Sequence, residues 1–375
     1  MLYIWMSVGL TALVLGAELL VQGAARLATA FGISSIVIGL TVVAFGTSAP
    51  ELAVSVSSAI QGRADIAFGN VVGSNIFNVL FILGVSAMIV PLVVAQRLVQ
   101  FDVPLMIGIS ILLLIFALDG SIGRYEGGML FLGLIAYTLW CIRSGFQEPP
   151  EVQQEYAEMI GTQSPATPNA AKTFLVSKAG IIQNLTRIAL GLLLLVVGAR
   201  WFVEAASELA RHFGVSELVI GLTIVAAGTS LPEVATSMIA AIRGERDIAV
   251  GNVVGSNLFN ILGVLGITAL LAPHGVAVAT QAIHFDLPVM LACAAACLPV
   301  FFTGHTISRW EGAVFFGYSV AYTASLVMIS TGSHSLTDFR RLMLGFVFPL
   351  TALTLVILGI REFKRTRKLP NDKDA

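Results

Sequence analysis

Apolar residues fill this chain in runs of about 20, separated by short polar or glycine-rich intervals, and a run of that length is what a helix needs to cross a bilayer. About eleven runs meet the criterion, near residues 3–28, 36–60, 67–90, 102–118, 125–143, 186–210, 217–242, 249–272, 286–303, 310–331 and 342–361. Hydrocarbon offers backbone N–H and C=O groups no partners, so each segment must satisfy its own. The pattern therefore predicts an all-α polytopic membrane protein. Polar residues inside the runs are few and concentrated. GTSAPE, residues 46–51, interrupts the second run, and GTSLPE, residues 228–233, interrupts the seventh.

These interruptions belong to a longer repeat. Residues 39–91 and 221–273 align without a gap and are identical at 32 of 53 positions, which marks an internal duplication. Echoes continue in QFDVP at 100–104 against HFDLP at 284–288, and GRYEGG at 123–128 against SRWEGA at 308–313. The chain divides into a first five-helix repeat at 1–143, a cytoplasmic linker at 144–185, a second repeat at 186–331, and an extra span with a basic tail at 332–375. The linker is rich in Glu, Gln, Pro and Thr, with a short helix expected near 151–160; it is too short to bury a core of its own. Five spans per copy is an odd number, so the second copy enters the membrane from the opposite side. Inverted repeats of this kind place a transport site near the midplane, where corresponding helices are broken.

Composition agrees with this reading. Apolar residues make up 57% of the chain and charged ones 11%, against about 25% charged in an ordinary soluble domain. The N-terminus has neither a basic lead nor a small-residue cleavage site, so it reads as a retained first span. With that terminus outside, the inner segments hold Arg26, Arg97, Arg143, Lys172, Lys178, Arg187, Arg243, Arg246, Arg309 and the REFKRTRK tail. The outer ones hold only Arg63, Arg124, Arg200, Arg211, Arg340 and Arg341. The positive-inside rule favours this orientation and a cytoplasmic C-terminus. Cys141, Cys293 and Cys297 lie in apolar runs and read as buried small hydrophobes.

The broken helices carry the candidate chemistry. Pro50 and Pro232 each lack an N–H and crowd the carbonyl four residues back, opening the helix at Gly46 beside Thr47 and at Gly228 beside Thr229. Helical spacing puts Thr47, Glu51 and Ser55 on one face, and Thr229, Glu233 and Ser237 on its copy. In the next span Asn70, Ser74 and Asn78 align, as do Asn252, Ser256 and Asn260. Carboxylates, hydroxyls, amides and freed carbonyls without a positive side chain suit a hard cation such as calcium or sodium. Small and hydroxyl residues in membrane helices often serve only as kinks and packing surfaces, whereas two repeated intramembrane glutamates point to function. Asp65, Asp247, Asp102 and Asp286 read as helix caps, Glu126 and Glu311 as interface anchors or ion pairs, and Glu18, Glu204 and Glu208 as unmatched between the copies.

Paired GTSxPE, each followed by GNVVGSNxFN, resembles the alpha repeats of the sodium/calcium exchanger branch of the calcium:cation antiporters, especially prokaryotic ones. The resemblance covers residues 1–331. It implies ten helices in two inverted five-helix repeats, the second, third, seventh and eighth surrounding the ions while the first and sixth slide as a gate. It implies calcium binding by Glu51 and Glu233 with carbonyls of Thr47 and Thr229, and sodium binding around Ala44, Ser48, Ser74, Asn78, Ala226, Ser230, Ser256 and Asn260. Asparagine at both 78 and 260 argues against a potassium requirement, and GTSxPE in place of the GNxxE of proton/calcium relatives favours sodium. The linker lacks the large calcium-sensing insert of animal exchangers.

The expectation is a sodium/calcium antiporter of the bacterial inner membrane, working by alternating access to its two sides, with calcium ions, sodium ions and the lipid bilayer as its partners. It needs no cofactor beyond its cargo, no nucleic acid and no obligate protein partner. A proton-coupled or other-cation antiporter of the same fold is the alternative. An intramembrane enzyme is remote, since the chain has no H-E-x-x-H and its five histidines are scattered. It also lacks the phosphate-binding G-x-x-x-x-G-K-[ST] loop.

Overall fold

The computed structural model describes residues 2–31, 33–145, 178–215, 217–333, 336–347 and Thr351. The expected linker helix near 151–160, the run beyond residue 351 and the basic tail lie outside the described residues. Helices make up nearly all of it. The first copy contains α1 (Leu2–Phe31), α2 (Ser35–Thr47), α3 (Ala49–Ile60), α4 (Ile66–Ile89), α5 (Leu98–Asp119) and α6 (Arg124–Ser144). The second begins with α7 (Ala179–His212). Three consecutive turns, Glu217–Ile220, Gly221–Val225 and Ala226–Gly228, then form α8. After it come α9 (Leu231–Ile242), α10 (Arg246–Leu271), α11 (Ala282–Phe302) and α12 (Arg309–Ser330).

Among the described residues, eight helices are long and apolar enough to cross a membrane, and α2 with α3 forms a ninth span bent by 43°. The pieces α8 and α9 hold the matching place in the second copy. The helix of α7 begins at Lys178, inside the stretch that sequence assigns to the linker. Large apolar side chains face outward along the spans, such as Leu15 on α1, Ile115 on α5 and Leu132 on α6, each more than half exposed. That surface suits lipid, not water.

The copies interlock reciprocally. Helices α1 and α7 run antiparallel with Gly9 against Gly198 and Gly16 against Gly191; a Cβ on Gly9 would lie 2.9 Å from the Gly198 carbonyl, and one on Gly16 2.8 Å from that of Gly191. Gly9 corresponds to Gly191 in the repeat and Gly16 to Gly198, so the two contacts are images of each other. Gly84 against Gly312 and Gly127 against Gly266 form a second such pair. Small residues let membrane helices approach this closely, and dispersion then holds them. Two short antiparallel ribbons add to this. Leu92–Val93 (β1) pairs with Thr306–Ile307 (β4), and Ser121–Ile122 (β2) with Val276–Ala277 (β3).

Several carboxylates take roles that sequence did not assign. Asp102 and Asp286 make no helix-cap bond. Each lies within a wide π-type turn and accepts a tyrosine hydroxyl, Tyr137 to Asp102 at 2.9 Å and Tyr322 to Asp286 at 2.8 Å. The capping falls to the glutamates instead. Glu311 forms a capping box with Ser308, and Glu126 accepts the Gly123 N–H at 2.5 Å. Glu18 pairs across helices with Arg243 just beyond α9, at 2.6 Å, while its counterpart Arg200 pairs within its own helix with Glu204 at 2.8 Å.

Candidate cation site

Both breaks fall at a serine. Ser48 separates α2 from α3 and Ser230 separates α8 from α9, with Pro50 and Pro232 in the first turn of the following helix. Proline is tolerated there because first-turn N–H groups have no helical partner. Glu51 and Glu233 occupy the same first turns, where the positive end of the helix dipole favours a carboxylate. Gly46 and Gly228, just before the breaks, sit against helix α7. A Cβ on either would lie 2.6 Å from Leu192 Cδ2 or Val203 Cγ2.

Each carboxylate is gripped from the other copy. Ser230 donates to Glu51 Oε1 at 2.9 Å, and Ser48 donates to Glu233 Oε1 at 2.9 Å. Ser74 Oγ lies 3.3 Å from Ser230 Oγ. Glu51 and Glu233 are 0% and 1% exposed. Among the described residues neither pairs with a basic side chain. The threonines are held crosswise too. Thr47 donates to Asn252 Oδ1 at 3.2 Å, and Asn252 donates to Ser237 at 3.0 Å. Thr229 lies 3.5 Å from Asn70 Oδ1, and Asn70 donates to Ser55 at 3.0 Å. The serines at 55 and 237 thus anchor the asparagines that hold the threonines.

The remaining oxygens define the site. Glu51 Oε2, Glu233 Oε2, Asn78 Oδ1, Asn260 Oδ1 and Ser256 Oγ are buried and have no hydrogen-bond partner. Asn78 and Asn260 each open a π-type turn in α4 and α10, a local widening common at functional sites. An orphaned buried oxygen is costly. Carboxylate, amide and hydroxyl oxygens of this kind, spread over four helices, are the ligands a hard metal ion takes.

The sequence candidates distribute unevenly over this core. Thr47, Ser48, Glu51, Ser74, Asn78, Ser230, Glu233, Ser256 and Asn260 are buried in it, whereas Thr229 is half-buried. Ala44 is buried and its carbonyl accepts the Ser48 N–H at 3.0 Å, so one of its lone pairs is engaged. Ala226 is exposed. Asn75 and Asn257, passed over because they lie off the aligned face, prove to be buried members of the same network. Their presence in both copies of GSNxFN was the available signal.

A family model described as sodium/calcium exchanger protein matches residues 1–143 and 184–329. The sodium/calcium exchanger MaX1 of Methanosarcina acetivorans is 34% identical over 285 residues, covering 69% of this chain and 79% of that protein. The inner membrane protein YrbG of Escherichia coli K12 is 38% identical over 202 residues, or 54% of this chain and 59% of that protein. The solved sodium-calcium exchanger NCX_Mj superposes with a TM-score of 0.71 at 29% identity, covering 87% of this chain and 98% of that one.

Proposed function

This chain belongs to the sodium/calcium exchanger family, and on that premise we propose that it exchanges sodium for calcium across the inner membrane by alternating access. That it is a multi-pass cation exchanger and not an enzyme follows from the family; the coupling ion, the ion ligands and the membrane orientation are this proposal. The observation that carries it is the set of orphaned oxygens around Glu51 and Glu233. Two carboxylates match the charge of one calcium ion, and carboxylate, amide and hydroxyl oxygens are what calcium takes. In this reading Glu51, Glu233 and the carbonyls of Thr47 and Thr229 bind calcium. Sodium uses Ala44, Ser48, Ser74, Asn78, Ala226, Ser230, Ser256 and Asn260.

Coupling then needs no separate device. Ser48 and Ser230 already hold the glutamates, so a sodium ion on either serine draws on a carboxylate that calcium also needs. The ions exclude each other by sharing ligands. NCX_Mj crystals soaked in sodium with calcium or strontium concern ions of this kind. The break at GTSxPE directs helix C-terminal carbonyls and N-terminal dipoles toward one point, as broken helices of transporters do.

The test is radioactive calcium uptake into sodium-loaded proteoliposomes diluted into sodium-free buffer, with Glu51→Gln and Glu233→Gln alongside. Uptake is expected to require internal sodium and to fall to background in both variants. Uptake indifferent to sodium but driven by a proton gradient would transfer the site to the proton-coupled alternative.

A further inference from the structure

Asn78 and Asn260 each present an oxygen to the ion site, yet an asparagine amide is nearly symmetrical in shape. Which end faces inward is decided by its hydrogen bonds. Two matching relays make that decision. In one, Met106 on α5 lies 3.5 Å from Asn257 Nδ2, and Asn257 Oδ1 accepts Asn78 Nδ2 at 3.0 Å. In the other, Met290 on α11 lies 3.7 Å from Asn75 Nδ2, and Asn75 Oδ1 accepts Asn260 Nδ2 at 3.1 Å. Asn75 Nδ2 also donates to the main-chain carbonyl of Asn257 at 3.2 Å.

We infer that Asn75 and Asn257, set by Met290 and Met106, are positioning residues that fix the polarity of the ion site. A thioether sulfur and a main-chain carbonyl can accept a hydrogen bond but never donate one. Each relay therefore starts from a group that compels the next amide to turn its nitrogen outward. The oxygen of Asn75 or Asn257 then faces the neighbouring helix and captures the nitrogen of Asn260 or Asn78. Only the Oδ1 of those two residues is left, and both are buried without a partner. Turning either over would set two carbonyl oxygens against each other and aim an amide NH₂ at a cation. All four asparagines and both methionines are at most 3% exposed, so water cannot readily take over a broken link. The sulfur contact is weak, but in a dry apolar setting it meets little competition.

This inference deepens the exchange reading and rests on it, so the test separates the two. Asn257→Leu removes the acceptor that holds Asn78 and keeps a similar volume; Met106→Leu removes only the first link and conserves volume better still. Both are made in the full chain, alone and with Asn78→Asp, whose carboxylate offers oxygen whichever way it turns. Calcium affinity is read by equilibrium binding of radioactive calcium to purified protein and by KM in proteoliposomes. Asn257→Leu is expected to weaken calcium binding about 10- to 100-fold and Met106→Leu about 2- to 5-fold, with a smaller effect on the maximal rate. Against the Asn78→Asp baseline both penalties should shrink to about twofold or less. A packing defect would persist in that background. Unchanged affinity in both single variants, or an equal penalty with and without Asn78→Asp, would overturn the proposal. Wild-type protein that binds calcium but shows no sodium-dependent uptake would overturn the exchange reading alone, with the relay still judged by the binding measurement.

Discussion

In the first copy α2 lies hard against α10, whereas in the second α8 packs less closely on α4. A Cβ on Gly255 would meet Leu40 Cα at 2.7 Å and Ala44 Cβ at 2.9 Å, and Cβ atoms on Gly39 and Gly251 would come within 3.1 Å of Ile248 Cα and the Ile36 carbonyl. The corresponding Gly73, Gly221 and Gly69 have nothing within 4 Å of that position among the described residues. The site residues follow suit. Ala44 and Asn252 are 0% exposed, while Ala226 is exposed and Asn70 half-buried. One substitution between the copies accompanies the difference. Phe45 packs edge-on against Phe259 at 4.9 Å, but the second copy has Ala227 in its place, and Phe77 stacks on Phe81 of its own helix. Duplicated sequences thus adopt two packings in one molecule. The packing beside the site is tight on one side and looser on the other. On the proposed orientation, the tighter side is the cytoplasmic one.

The sharpest break in this comparison is Gly255→Ala, which wedges α2 from α10. It is expected to lower stability by about 1–3 kcal/mol, seen as a lower thermal midpoint of the purified protein. Gly73→Ala should leave that midpoint unchanged. If α4 and α8 must close in the same manner during turnover, it should still slow calcium uptake severalfold at unaltered calcium affinity; equal behaviour of the two variants would refute the distinction. Phe45→Ala removes an aromatic contact of about 0.5–1.5 kcal/mol and should shift the population toward the opposite-facing form. The readout is labelling of Ala226→Cys by a membrane-impermeant maleimide, expected to fall about 2- to 10-fold. Background is low because Cys141, Cys293 and Cys297 are buried.

The smallest effect belongs to the pair between Glu18 and Arg243. It ties α1 to the end of α9, and its image in the repeat would be Arg200 with Gln61, neither of which can make that pair. Arg243 is 57% exposed at its side chain, so Arg243→Gln is worth about 0.2–1 kcal/mol, and less in high salt. The same labelling experiment should register less than a fivefold change, in the same direction.

Much of this was legible in the sequence. The repeat exposes itself by identity, the breaks by proline, and the central carboxylates by being ionisable in apolar runs. The all-α fold and the paired helices follow from those features. What escaped reading depends on contacts that helical spacing does not encode. Asn75 and Asn257 sit off the stripe formed by Asn70, Ser74 and Asn78 and their copies, and only the crossing of α4 with α10 brings them into the site. Asp102 and Asp286 precede or adjoin helix-starting prolines and so resemble caps, but wide turns carry each helix back past them toward a tyrosine. Glu18 and Arg243 are far apart in the chain, and no local rule joins them. The unequal closure of the two copies was illegible for a deeper reason: their glycines are the same.

The ribbons carry a lesson about assembly. Each pairs one strand from either copy, β1 with β4 and β2 with β3, so neither copy can complete its own sheet. The reciprocal glycine contacts are likewise made only between copies. The ribbons and these glycine contacts are thus ones that two separate subunits could make. In architecture the two copies meet as the protomers of an antiparallel dimer would, joined into a single chain that keeps them at equal number.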